Sequence, residues 1–547
     1  MTLSGQDADV GSRPRPALRR GDRVIVTVEK LAFDGPGIAF AENGTEPDGS
    51  PRRLKISIEG VAPGDQVEVE LYSVKHGMGN GRVVRYLRKS PARVVPACPH
   101  FGRRISAGVP EDANGNNTSG RAESGNSEVS DFLPDGRLDL SANCGGCTWQ
   151  FLAYEDQLKE KEQQVRNALL QIAEIPEEEL VPVWRPIMAA ENPWWYRNKM
   201  DFSFVRNREG ALHLGLHMRG RYRDVTEIKS CQLFRPWVGE LLEVLRPFFE
   251  KCELGKSGDR LDERGDFKAL LVRAGTNTGE VMVNLQVENA ETDWADQFTA
   301  VVRKFFEGLP GQTSGKTGAH SDHLVSIFLT KITNKKGQSR KLEEQLLWGA
   351  PVFREELRLA RRTLKFEVAP QAFLQPNTSQ AEKFYSLVIE LARLTGKERV
   401  FDLFCGTGTI GMCLAEKAGQ VTGLELNAPA VENARQNAAQ NKVKNIDFIV
   451  GDTAKLLPEI GTAVSAAGKT PVDLIVVDPP RAGLTPKIIE TIAATAARRM
   501  IYVSCNPHSL ARDLKLLIAK GFRLSFVQAI DQFSQTYHVE TVVLLER

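Results

Sequence analysis

Between residues 400 and 411 the chain reads Val400-Phe401-Asp402-Leu403-Phe404-Cys405-Gly406-Thr407-Gly408-Thr409-Ile410-Gly411, a short apolar strand that runs straight into a turn punctuated by glycines. The glycines fit G-x-G-x-x-G between a strand and a helix, the context that gives this spacing a meaning. Glycine there lets the chain turn tightly and lets backbone come close to a ligand. The next strand, Gln420-Val421-Thr422-Gly423-Leu424-Glu425, ends on an acid 17 residues after Gly408. A carboxylate at a strand end can accept both hydroxyls of a ribose. Loop and acid together point to an adenosine-bearing ligand, and they leave its kind open.

From about residue 366 onward strands and helices alternate, the signature of a doubly wound α/β sheet. Two further strands end in unusual sequences: Val472-Asp473-Leu474-Ile475-Val476-Val477 in Asp478-Pro479-Pro480-Arg481, and Arg499-Met500-Ile501-Tyr502-Val503 in Ser504-Cys505-Asn506-Pro507. Ligands of such sheets sit beyond the carboxyl ends of the strands. Asp478 and Cys505 are therefore expected to face one crevice with Glu425. Asp452, closing Phe448-Ile449-Val450-Gly451, is expected at the same rim.

The remainder of the 547 residues differs in texture, and the length calls for more than one core. Residues 1–19 read as a polar, disordered tail without the apolar stretch of a secretory signal. Residues 20–90 carry short β-like runs (Arg23 to Val28, Gly37 to Phe40, Val67 to Tyr72, Gly81 to Tyr86) separated by Gly and Pro, as in a small β-barrel. Net charge is only +2, but Ser12 to Val95 holds 15 Lys+Arg against 10 Asp+Glu, a local excess that favours a polyanionic partner. Residues 91–365 form a central β-rich α+β domain. Within it 103–142, rich in Gly, Asn and Ser, read as a disordered insertion, and 310–323 as a second flexible loop. Leu158, Val165, Leu169 and Ile172 mark an amphipathic helix, and 195–290 alternate like antiparallel strands. No apolar run is long enough to span a membrane, and the expectation is a cytoplasmic protein.

In the order and spacing of Phe373-Leu374-Gln375-Pro376-Asn377, the Asp402 to Gly408 segment, Asp478-Pro479-Pro480-Arg481, Ser504-Cys505-Asn506-Pro507 and His538-Val539-Glu540-Thr541, the chain resembles the RNA 5-methyluridine methyltransferases, enzymes of transfer and ribosomal RNA. The resemblance implies a Rossmann-like class I methyltransferase domain over 366–547, and an N-terminal OB-like barrel of the TRAM type that binds RNA. It implies S-adenosylmethionine as the adenosine ligand, contacted by Gln375, Phe404, Glu425, Asp452 and Asp478. It implies Cys505 as a nucleophile that adds to carbon 6 of uracil, and Glu540 as the base that removes the carbon-5 proton. This chemistry needs one activated thiol and one base.

Cys144-Gly145-Gly146-Cys147 is a C-x-x-C pair, with Cys98 and Cys231 at a distance. Four thiolates suit zinc or an iron–sulfur cluster, and spacing alone does not choose. The resemblance implies a 4Fe–4S cluster on Cys98, Cys144, Cys147 and Cys231, although members of the family usually have only a few residues between the first two ligands. Cys252, Cys405 and Cys413 read as packing residues. Three rivals stand beside this reading: an RNA cytosine-C5 methyltransferase, which also needs a cysteine nucleophile, a non-catalytic RNA-binding protein, and an iron–sulfur redox sensor. An amino-methylating enzyme fits less well, because such enzymes carry N-P-P-[YF] where this chain has Asp478-Pro479-Pro480-Arg481.

Overall fold

The computed structural model describes residues 17–45, 50–101, 144–206, 211–252, 267–288, 292–309, 321–334, 340–466, 472–495 and 497–547. The expected insertion 103–142 and most of the expected tail 1–19 and loop 310–323 lie outside the described residues. The described chain falls into two compact units. One comprises the described residues from 17 to 95 and 148–160, the other 96–101, 144–147 and the described residues from 161 to 547.

In the first unit five strands, Arg23–Leu31, Gly37–Thr45, Pro51–Ile58, Gln66–Lys75 and Met78–Arg88, close into a barrel. Closure leaves no unpaired sheet edge. Alternation builds its interior: Val67, Val69 and Leu71 point inward from the Gln66–Lys75 strand and meet Val26, Val28, Leu54 and Ile56. The third strand, Pro51–Ile58, pairs in parallel with Met78–Arg88; its alternating Leu54, Ile56 and Ile58 face the interior, although it was not among the expected runs. Asp65, fully buried, fastens the Val61 to Asp65 turn. It accepts from the backbone N–H groups of Ala62 (2.6 Å) and Ser90 (2.8 Å) and from the Arg93 guanidinium at 2.7 Å. A buried carboxylate satisfied in this way fixes the turn without leaving an unpaired charge.

Two large sheets organise the second unit. A seven-stranded sheet runs in the order Lys341–Gly349, His323–Thr333, Glu280–Glu288, Phe267–Ala274, Lys199–Arg206, Leu212–Met218, Arg221–Thr226. Its core is aromatic, with Phe204, Trp237, Phe249, Phe267, Phe298 and Phe306 packed together. The antiparallel pattern expected for 195–290 holds among the strands there, but the stretch also contains the helix Val238–Lys251. Glu280–Glu288 and His323–Thr333 pair in parallel. The helix Ala295–Glu307 between them supplies the crossover that a parallel pair requires.

The second sheet has eight strands in the order Ile446–Val450, Gln420–Glu425, Arg399–Leu403, Leu474–Val477, Arg499–Ser504, Glu540–Glu546, Arg523–Ile530, Trp184–Met188. The first five are mutually parallel, and Glu540–Glu546 runs antiparallel to both its neighbours. Buried on both faces, these strands read as nearly continuous apolar runs. The last strand, Trp184–Met188, comes from well before residue 366. Its Arg185 and Pro186 leave it no alternating pattern by which to be recognised. Among the described residues no helix is long and apolar enough to cross a membrane.

Candidate active site

In the eight-stranded sheet the strand order reverses between Arg399–Leu403 and Leu474–Val477, and ligands of such sheets bind at that switch. The turn after Arg399–Leu403 is built for close approach. Phe404 stands at φ +62°, a left-handed conformation that costs a side-chain-bearing residue roughly 1–2 kcal/mol. Gly406 and Gly408 follow at φ +53° and +74°. A Cβ on Gly408 would lie 2.5 Å from the Phe448 ring, and one on Gly411 would lie 2.9 Å from the Asp402 carboxylate. These two glycines serve packing. A Cβ on Gly406 would meet nothing within 4 Å. Gly406 therefore borders open space, as a turn that receives a ligand requires.

The predicted cofactor contacts gather around this turn. Glu425, at the end of the neighbouring strand, accepts from the Gly406 N–H (3.1 Å) and the Asn427 N–H (2.8 Å). Asp452 lies two residues past the adjoining strand, whose end is tied in by the Gly451 N–H donating to the Glu425 carbonyl. The Asp452 carboxylate is exposed and accepts from the Ala454 N–H at 2.8 Å, opening the helix Thr453–Ala466. Gln375 follows the exposed Phe373, whose carbonyl accepts from the Thr407 hydroxyl at 3.4 Å. Gln375 also joins Phe384, Val503, Ile530, Gln532 and Glu540 in lining a cleft. Asp478 ends its strand with its N–H directed to the Leu403 carbonyl, and burial pushes its carboxyl up to about 7.

Cys505 and Glu540 meet because of strand register. The Arg499–Ser504 strand pairs antiparallel with Glu540–Glu546, Ser504 opposite Thr541. The next position outward sets Cys505 beside Glu540. Burial, then the nearby charges of Glu540 and Asp478, push the Cys505 thiol up to about 12, while Arg481 draws it down. Burial and Asp478 likewise hold the Glu540 carboxyl well above the usual carboxylate range, opposed by Arg481. Cys505 is partly exposed at the head of the helix Pro507–Ala519. Asn506 caps that helix by accepting from the His508 N–H, and it donates to the Arg481 carbonyl, both at 3.0 Å. A thiol at a helix head is favoured as thiolate by the dipole.

Three residues given no individual role in the sequence analysis belong to this site. Asp402 is fully buried beneath the glycine turn and accepts from the Gly411 N–H at 2.8 Å. Burial, joined by the charges of Asp478 and Glu425, raises its carboxyl to about 8. An acid inside an otherwise apolar strand was the signal for it. Arg481 and His538 stand 3.2 Å apart, guanidinium nitrogen to imidazole Nδ1. Burial, and then Arg481, Lys161 and Arg197, push His538 down to about 4, so the ring is neutral at physiological pH.

The four cysteines named as cluster ligands lie in the same unit. Burial raises the thiols of Cys98, Cys144 (to about 12) and Cys231, and Cys231 adds to the effect at both Cys98 and Cys144. The Arg197 guanidinium feels both Cys147 and Cys231. The thiols thus share a neighbourhood, and their soft donors suit iron or zinc. Among the described residues, however, no three His, Cys, Asp or Glu side chains converge as a metal ion would require. Cys413 is buried in the core and Cys405 packs beside the Gly423 backbone, as expected of them.

Residues 337–547 match the model of the tRNA (uracil-5-)-methyltransferase family. An uncharacterized RNA methyltransferase of Protochlamydia amoebophila is 33% identical over 88% of this chain and 98% of its own length. The chain belongs to this family of RNA methyltransferases. A second relative, an uncharacterized RNA methyltransferase of Caldanaerobacter subterraneus, is 33% identical over 97% of this chain and all of its own. Among solved structures, the Pyrococcus abyssi tRNA (uracil-54, C5)-methyltransferase in complex with S-adenosyl-L-homocysteine matches with a TM-score of 0.62 at 24% identity, over 95% of this chain and 100% of that one. The likeness shows a shared fold. The protein is an S-adenosylmethionine-dependent RNA methyltransferase.

Proposed function

We propose that this methyltransferase acts on carbon 5 of a uridine in transfer or ribosomal RNA through a covalent Cys505–carbon 6 adduct, with Glu540 as general base. One observation carries the reading: the register that pairs Ser504 with Thr541 brings a partly exposed thiol and a carboxyl with a raised proton affinity to one point of the crevice. Carbon 5 of uracil is a weak nucleophile. Addition of the Cys505 thiolate at carbon 6 drives the 5,6 electron pair toward carbon 5 and O4, and so makes carbon 5 reactive. Once carbon 5 is methylated, its remaining proton passes to the Glu540 carboxylate. The freed pair restores the double bond and expels the thiolate. A base whose proton affinity is raised by burial is better matched to that transfer than an ordinary glutamate. Arg481, which draws down both Cys505 and Glu540, favours the ionised form that each must adopt.

Gln375, Phe404, Glu425, Asp452 and Asp478 are the residues that hold S-adenosylmethionine in this reading. The open side of Gly406 and the unspent lone pairs of Glu425 suit that ligand. When bound, it supplies an electrophilic methyl group. The N-terminal barrel serves as a TRAM-type RNA-binding module, for which the half-exposed Tyr72 beside Arg20 and Arg82 offers a stacking surface flanked by cations. Cys98, Cys144, Cys147 and Cys231 hold a 4Fe–4S cluster in preference to zinc. The methyl transfer contains no redox step, so the cluster's part is structural or RNA-orienting. A cytoplasmic location goes with this assignment.

The test uses two variants. Cys505→Ala abolishes methylation and leaves S-adenosylhomocysteine affinity, measured by calorimetry, close to wild type. Glu540→Gln stalls as a methylated protein–RNA complex that survives denaturing electrophoresis. Methylation by Cys505→Ala, or free turnover by Glu540→Gln, contradicts the assigned roles.

A further inference from the structure

Glu540 begins its strand directly after the segment Asp531 to Val539, and that segment is held by residues far away in sequence. Lys161, in the helix Tyr154–Gln171, is fully buried. Its ammonium lies 2.5 Å from the Asp531 carboxylate, which is also fully buried, and donates to the Phe533 carbonyl at 3.0 Å. The other Asp531 oxygen accepts from the Ser534 hydroxyl at 2.6 Å. Tyr196 donates to the Ser534 carbonyl (3.0 Å), the Asn377 amide to the Gln532 carbonyl (3.2 Å), and the Thr536 hydroxyl to the Phe533 carbonyl (2.7 Å). Within this frame Gln535, not a glycine, stands at φ +67°. Such a conformation persists only where the surroundings over-determine it.

A buried ion pair of this kind contributes little net stability, because desolvating both groups offsets their attraction. Its worth lies in fixing position: a buried lysine that bonds one carboxylate and one carbonyl of the same segment holds it in one place. The segment carries His538, which feels the Lys161 charge, and leads through Val539 directly into Glu540. We infer that Lys161 and Asp531 are positioning residues of the reaction, a buried pair that fixes the Asp531 to Val539 segment so that Glu540 meets the carbon-5 proton. The inference rests on the assignment of Glu540 as the base.

It is tested with the full-length protein and a uridine-containing RNA substrate. The double variant Lys161→Met/Asp531→Leu replaces the pair by apolar side chains and leaves no unpaired buried charge. It is expected to fold, to bind S-adenosylhomocysteine with near wild-type affinity and to form the methylated covalent complex in a single turnover. Release of product from that complex is expected to slow by at least about tenfold, since small misplacements of a reacting group carry losses of this order. A defect in stability alone would not separate formation of the complex from its release. Release at the wild-type rate in the folded double variant overturns the inference. Should that variant not fold, Ser534→Ala removes one hydroxyl from the Asp531 frame and leaves the pair intact. It is expected to show the same slowed release to a smaller degree, and wild-type release there overturns the inference. Glu540→Gln runs in parallel. If it fails to trap the complex, the base assignment falls and this inference with it. If it traps the complex while the double variant releases freely, only the inference falls.

Discussion

At the scale of single residues the site holds Asp402, Asp478 and Glu540 above their ordinary proton affinities, whereas the proposed mechanism needs Cys505 and Glu540 ionised. Asp402 is the clearest case. Its carboxyl, ordinarily near 3.8, is raised to about 8 in the folded chain, chiefly by burial. The folded state therefore holds a proton that the unfolded chain gives up above pH 4. The stabilisation is fully present below the unfolded value and is lost as pH rises through the folded one. Asp402→Asn, which keeps an acceptor for the Gly411 N–H, is expected to melt at a temperature that depends less on pH. Between about pH 5 and pH 9 the wild-type melting temperature should fall further than that of the variant. Equal falls would show that Asp402 is ionised in both states. Much of this site was legible as residue types: Glu425, Asp478, Cys505 and Glu540 were all singled out from strand ends and motifs. The proton affinity of Asp402 was not, since it depends on what covers the strand, and neither was the approach of Arg481 to His538, which lie 57 positions apart.

At the scale of elements, the turn after Arg399–Leu403 separates two demands on glycine that look alike in sequence. Gly408→Ala drives a methyl group into the Phe448 ring at a positive φ. It should cost about 1–3 kcal/mol of stability, read as a lowered melting temperature. Gly406→Ala meets open space and should cost only the backbone strain of about 1 kcal/mol, while weakening S-adenosylhomocysteine binding by calorimetry. Equal loss of stability in the two would contradict this division of labour. The elements themselves were visible wherever periodicity was strong, as in the alternating Val67, Val69 and Leu71 of the barrel and the apolar Leu474–Val477. Trp184–Met188 was missed because a strand at the sheet edge, with two polar or proline positions, carries no period. The parallel pairing of Glu280–Glu288 with His323–Thr333 was missed because direction is set by the connecting helix and not by the strands.

At the scale of the whole molecule, the chain joins a barrel unit to a larger unit that holds both sheets. The reversal of strand order collects residues from 375 to 540 at one rim, and strand register then sets the proposed nucleophile beside the proposed base. The four cysteines of the proposed cluster all lie in the larger unit. Anaerobic reconstitution should load about four iron and four sulfide per chain, and Cys144→Ser with Cys147→Ser should abolish loading. Zinc uptake without iron would assign the thiols to the other metal.

The central claim, methylation of uracil at carbon 5 through Cys505, is tested most directly by one assay. The purified enzyme is incubated with labelled S-adenosylmethionine and RNA lacking 5-methyluridine, and the nucleosides are then resolved. Label in 5-methyluridine, absent with Cys505→Ala, is the predicted result; label in 5-methylcytidine, or 5-methyluridine formed equally by Cys505→Ala, would contradict it.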